Sequence, residues 1–252
     1  MTSYPTDLSD SQWQVIEGFF TDKRKRKYSF RTLMNALFYL VKTGCQWRML
    51  PSDFPCWSTV YFYFSRWKRD GTLEQIELAL VERAREKAGR HKEPTAAIID
   101  AQSVKTTMVG GESRGFDAGK KVKGRKRHIV VDTLGLVLMV VVHSAGVQDR
   151  DGAKEVLQAL KGLWCRVIKV FADGGYRGKL LDWAKKALNY SVEIIKRTEA
   201  SMFKVLPKRW IVERTFAWLD TNRRNSKDYE RLTESSQAII HLAAIRMMLL
   251  KS

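Results

Sequence analysis

Three acids stand where they could do phosphate chemistry. Asp100 follows the apolar run "AAII", Asp173 follows "VFA", and Glu213 lies within "PKRWIVERTFAWL". An acid at the end of a buried strand often just opens an Asp-Gly turn, and "FADGGYRG", residues 171–178, has Gly174 and Gly175 directly behind Asp173. The other reading is chemical. If Asp100 and Asp173 end parallel neighbouring strands of an open α/β sheet, both carboxylates reach the crevice at its carboxyl edge. Two acids so close repel, and each is forced toward its protonated form unless a cation lies between them. Cys45, Cys56 and Cys165 form no C-x-x-C pair and the four His are scattered. An oxygen-only donor set then favours Mg²⁺ or Mn²⁺. A two-ion site needs a third acid. Glu213 projects beside a broad apolar face of Ile211, Val212, Thr215, Phe216, Trp218 and Leu219. The competing reading pairs Glu213 with Arg209 one helical turn earlier.

The elements that must position these acids follow from hydrophobic period and punctuation. Residues 1–90 read as helices: "SDSQWQVIEGFF" with a Ser9–Gln12 capping box, "FRTLMNALFYLVKTG" stopped by Gly44, "STVYFYFSRWKRDG" capped by Ser58, and "TLEQIELALVERAREKAG" with a Thr72–Gln75 box. From residue 91 to 252 the texture changes. "TAAIIDAQSVK" reads as a strand, "GRKRHIVVDTLGLVLMVVVHSAG" as a hairpin, and "DRDGAKEVLQALKGL" as a helix capped by Asp149. Then come the strand "RVIKVFADGGY", the helix "RGKLLDWAKKALN", the strand "SVEIIKR" and a final helix carrying Glu213. That order predicts a mixed α/β sheet with helical covers, preceded by a small all-helical domain.

Composition narrows the partner. The 252 residues are 44% apolar and carry 45 Lys and Arg against 27 acids, a formal charge of +18. Such an excess points to a polyanion, nucleic acid ahead of an anionic membrane surface. The longest apolar stretch falls far short of a membrane span and no signal-peptide pattern opens the chain, which predicts a soluble, cytoplasmic protein with no membrane partner.

The phrases "TGCQWRMLPSDFPCWSTVYFYFSRW", "IIDAQSVKTT", "GRKRHIVVDTLGL", "FADGGYRG" and "VERTFAWL" together resemble bacterial insertion-sequence DDE transposases of the IS-five type, from about Trp13 to about Tyr229. The resemblance implies a ribonuclease-H-like fold, with Asp100, Asp173 and Glu213 as the metal-holding triad. It implies two Mg²⁺ ions, with Mn²⁺ able to substitute, and double-stranded DNA as substrate, both the terminal inverted repeats and the target. The family's Tyr, Arg, Glu, Lys signature finds Arg209 and Glu213, but Leu206 stands where Tyr is expected, Asp220 where Lys is, and "RRN" where many relatives have Arg-Arg-Leu.

Expected DNA contacts follow from the same picture. "GKKVKGRKRH" supplies Lys120, Lys121, Lys123, Arg125, Lys126 and Arg127, Lys105 follows the first acid, and Arg209, Arg223 and Arg224 flank or follow Glu213. In the helical part Tyr61, Tyr63, Arg66 and Lys68 are the outward-facing candidates of a helix-turn-helix-like reader. Synapsis of two element ends implies at least a dimer on DNA. His128 and His143, on strand-like stretches, are expected to pack or hydrogen-bond rather than to ligate metal. Two rival functions share these features: a nuclease that cuts without joining, and a non-catalytic DNA-binding regulator.

Overall fold

The computed structural model describes residues 4–22, 24–108, 110–111, 113–195 and 209–250. They form two compact units, one of residues 1–80, 219–226 and 234–252, the other of residues 81–218 and 227–233. Beside the expected division at residue 90, residues 81–90 group with the sheet unit, and residues 219–226 and 234–252 group with the N-terminal helices.

The helical unit contains α1 (Asp10–Ile16), α2 (Phe30–Thr43), α3 (Trp57–Arg69), the first half of α4 (Thr72–Lys87) and nearly all of α8 (Thr233–Leu249). The capping box at Ser9 is present, with both the Ser9 and Gln12 side chains bonded to backbone N–H groups. Gly44 closes α2 at φ 70°, where a Cβ would also sit 3.0 Å from that of Arg223. Two expected caps are displaced. Cys56, not Ser58, is the cap residue of α3. Thr72 is the first helical residue of α4, and its hydroxyl donates to Asp70 at 2.6 Å. Helix α8, which local patterning did not single out, is buried on almost every side and so requires helical neighbours around it. His241 on α8 pairs with buried Glu77 of α4, and Gln12 donates to the Leu249 carbonyl at 2.9 Å.

The other unit is a six-stranded mixed sheet with helices. Its strands are β1 (Ala96–Lys105), β2 (Gly115–Asp117), β3 (Val122–Asp132), β4 (Val137–Ser144), β5 (Lys169–Ala172) and β6 (Ser191–Ile194). β3 pairs antiparallel with β1 on one side and with β4 and the short β2 on the other, while β1, β5 and β6 run parallel. Helix α5 (Asp149–Leu163) connects β4 to β5, and α6 (Lys179–Leu188) connects β5 to β6. α5 buries Ala153, Val156, Leu157 and Leu160. Val156, Leu157 and Leu160 each contribute roughly 1.5–3 kcal/mol when fully removed from water. Gln148 rather than Asp149 is the α5 cap residue, with no side-chain bond to the helix, and Asp149 is the first helical residue. The arrangement is compatible with a ribonuclease-H-like fold.

Candidate active site

The register of the central strands brings the aspartates together. Ala96 pairs with Lys169, Ala97 with Val170 and Ile98 with Phe171. Continued by two residues, the same offset sets Asp100 level with Asp173. Asp100 does not end its strand as expected, because β1 runs on to Lys105 along β3. It reaches the crevice because β5 stops at Ala172 and leaves the flank of β1 uncovered. Both acids line a cleft of about 580 Å³, together with Lys120, Asp149, Arg177 and Arg209. Asp173 serves the turn as well: its Oδ1 accepts the Gly175 N–H at 2.8 Å and caps a 3₁₀ turn over Gly174–Tyr176. A Cβ on Gly175 would lie 3.1 Å from that oxygen, so the turn closes this tightly only around glycine.

Burial pushes the Asp100 carboxyl up to about 6, and the charge of Asp173 pushes the same way; the Ala101 N–H, Lys120 and Arg209 oppose them. Two adjacent carboxylates with oxygen-only donors, one of them buried enough to resist ionisation, fit a hard divalent cation.

Glu213 is not brought to these acids. It stands exposed on α7 (Arg209–Asp220), and Arg209 donates to its Oε1 from both Nε and Nη2, at 2.9 and 2.6 Å. The ion-pair reading of this glutamate thus describes the structure, and Arg209 itself is the cleft residue. Among the described residues no group of three or more His, Cys, Asp or Glu side chains is placed to hold a metal ion. Helix α7 is anchored on the β3–β4 turn, where Thr215 Oγ1 donates to the Gly135 carbonyl at 2.9 Å and Arg214 to that of Leu134 at 3.0 Å. Leu206 lies outside the described residues. Asp149 is the cleft acid that sequence reasoning missed, because "DRDG" reads as an ordinary acidic helix start.

The basic residues divide by burial. Lys120 lines the cleft and donates to the Ala101 carbonyl at 2.6 Å. Lys105, Lys121 and Lys123 are exposed around a second hollow of about 650 Å³, which they share with Arg114, Phe116 and Met108. Arg125, Lys126 and Arg127 depart from expectation: all three are buried. β3 begins at Val122, so this part of the cationic run is strand, and every residue from Gly124 to Asp132 is covered. Arg125 pairs with Asp228 at 3.2 Å and donates to the carbonyls of Glu230 and Arg231. Lys126 pairs with Asp149 at 2.6 Å and Asp117 at 3.2 Å, and Arg127 donates to the Lys227 carbonyl. His128 and His143 hydrogen-bond to each other at 2.7 Å.

In the helical unit Arg224 is also buried, donating to the Cys45 carbonyl at 2.9 Å, whereas Arg223 is exposed. Tyr61 is exposed, and Tyr63 packs against Phe30 and Trp67. Arg66 pairs with Asp22 at 2.9 Å, and Lys68 donates to Ser235 Oγ at 3.1 Å.

Family models match both parts of the chain. One described as "Transposase DDE domain" covers residues 91–248, and one described as "Putative transposase of IS4/5 family" covers residues 8–77. The chain belongs to the IS4/IS5 family of DDE transposases. A "Putative transposase for insertion sequence element IS402" of Burkholderia cepacia is 30% identical over 126 residues, 47% of this chain and 60% of that protein. The "Uncharacterized protein y4sN" of Sinorhizobium fredii (strain NBRC 101917 / NGR234) is 31% identical over 81 residues, 31% of this chain and 65% of that protein. Each match thus spans less than two thirds of the relative's own length. No solved structure matches this transposase. No helix among its described residues is long and apolar enough to cross a membrane.

Proposed function

We propose that this DDE transposase binds the terminal inverted repeats of an insertion sequence, hydrolyses the phosphodiester bond at each end and joins the freed 3′ hydroxyl to target DNA. The observation that carries the reading is that Asp100 and Asp173, set level by the offset of β1 and β5, line one cleft whose other walls carry Lys120, Arg177 and Arg209. The strand order and the parallel β1–β5–β6 set support a ribonuclease-H-like catalytic domain, and residues 1–90 are assigned to recognition of the element end.

Asp100 and Asp173 would hold divalent metal, two Mg²⁺ with Mn²⁺ substituting, and Glu213 completes the set once Arg209 releases it. Bound there, the ions would stabilise charge on the entering and leaving oxygens of an in-line displacement. Arg209 then has a second acceptor available, since a DNA phosphate entering the cleft offers its guanidinium a partner that replaces Glu213. Lys120 and Arg177 neutralise the same backbone. At the second hollow Lys105, Lys121 and Lys123 extend the path for phosphates without reading sequence. Arg223, Tyr61, Tyr63, Arg66 and Lys68 are assigned to the DNA surface of the helical part. A synaptic complex requires at least two copies on DNA.

The test is incubation of the protein with Mg²⁺ and a plasmid bearing matched inverted repeats. Joined strand-transfer products are expected. Nicks without joining would reduce the protein to a nuclease, and binding without cleavage would reduce it to a regulator.

A further inference from the structure

The cleft holds an acid that the triad does not include. Asp149, the first residue of α5, lines it beside Asp100 and Asp173. One of its oxygens, Oδ1, is held by Lys126 Nζ at 2.6 Å. That ammonium is itself fixed by Asp117 at 3.2 Å and by the Val147 carbonyl at 2.8 Å. The other oxygen lies beside Gly175: a Cβ there would be 3.5 Å from Asp149 Oδ2 and 3.1 Å from Asp173 Oδ1. Both carboxylates therefore border the space that the missing side chain of Gly175 leaves open.

An acid in the first turn of a helix needs no ligand to explain it, since it suits the helix dipole. Asp151 meets that requirement in the same turn without lining the cleft. A second observation concerns Tyr176. Its side chain is fully buried, its hydroxyl has no hydrogen-bond partner among the described residues, and burial together with the charges of Asp100, Asp149 and Asp173 holds it protonated, well above the usual phenol range. A buried hydroxyl left without an acceptor costs about 1–3 kcal/mol, so a further polar group is expected beside it.

We propose that Asp149 is a further acid of the cation site, acting with Asp100 and Asp173 by accepting hydrogen bonds from the water of a divalent ion. The proposal rests on the transposase reading above. No three acidic side chains among the described residues are placed for direct ligation, whereas Mg²⁺ keeps several of its waters and uses one or two carboxylates. An outer carboxylate that orients those waters, itself locked by a buried lysine, meets both conditions. Tyr176 supplies a polar contact to the same water.

The test uses the full chain without DNA and reads free Mn²⁺ by electron paramagnetic resonance during titration. Asp149→Asn leaves Lys126 paired with Asp117 and, assayed well below its own melting temperature, is expected to weaken Mn²⁺ binding roughly 10–100-fold, with Asp149→Glu restoring most of it. Asp149→Ser, which keeps a residue suited to a helix start, replaces the Asn variant if that one melts early. Wild-type affinity in Asp149→Asn or Asp149→Ser, with binding lost in Asp100→Asn, would overturn the role of Asp149 and leave the cation site standing. No Mn²⁺ binding by the wild type, or equal binding by Asp100→Asn, would overturn both.

Discussion

At Asp100 burial and the neighbouring Asp173 act in one direction, against ionisation. The folded carboxyl titrates near 6 and the unfolded one near about 4, so the folded state binds the extra proton between those values. Stability of the metal-free protein is therefore greatest below about pH 4 and falls as pH rises toward 6 through this group. Asp100→Asn should raise metal-free stability at neutral pH by about 1–2 kcal/mol, read as a higher melting temperature, while abolishing cleavage. An unchanged or lower melting temperature would show that Asp100 is not strained by its surroundings. Asp173→Ala and Glu213→Ala should likewise remove cleavage and leave DNA binding intact in a filter or mobility assay, since the lost charges are negative. For Glu213 this outcome has added weight, because among the described residues its carboxylate is bonded to Arg209 and must change partner to act as proposed.

At the scale of elements, β3 separates cations that hold the fold from cations left at the surface, which are proposed to meet DNA. Arg125, fully buried against Asp228, ties β3 to the segment after Asn225. Arg125→Met removes the cation that faces the buried Asp228 carboxylate and should cost about 3–5 kcal/mol in urea denaturation. Lys121→Ala and Lys123→Ala, at exposed positions on either side of the strand's start, should shift stability by no more than about 0.5 kcal/mol. Each should also lower the slope of log K against log salt for DNA binding by about 1. An equal stability loss in both sets would contradict this division. Helix α5 supplies a second case. Gly152 lies where a Cβ would come 2.4 Å from His143 Nε2 and 2.7 Å from His128 Cε1. Gly152→Ala should thus destabilise the protein by roughly 1–3 kcal/mol, although alanine is the better helix former.

For the whole molecule, the formal charge of +18 predicts how the proposed binding to DNA should respond to salt. If six or more phosphates are contacted, affinity should drop by orders of magnitude between about 50 and 200 mM salt; a nearly flat response would exclude an extended basic surface. The buried Arg125, Lys126, Arg127 and Arg224 belong to that net charge but not to that surface. The contact surface is thus smaller than a count of Lys and Arg suggests.

The sequence alone determined what depends on local order. Apolar runs ending in Asp100 and Asp173 marked the strands of the site, Ser9 with Gln12 and Gly44 marked helix ends, and five ordered phrases marked the family. Only the tertiary structure decided which groups share a space. That β3 is covered on both faces, that α8 completes the N-terminal helices, that Arg209 occupies Glu213 and that Asp149 enters the cleft all depend on pairings between distant segments. Hydrophobic period and capping residues report how a segment folds on itself. They carry no record of what is packed against it, and burial, ion pairing and convergence on a site are set by that packing.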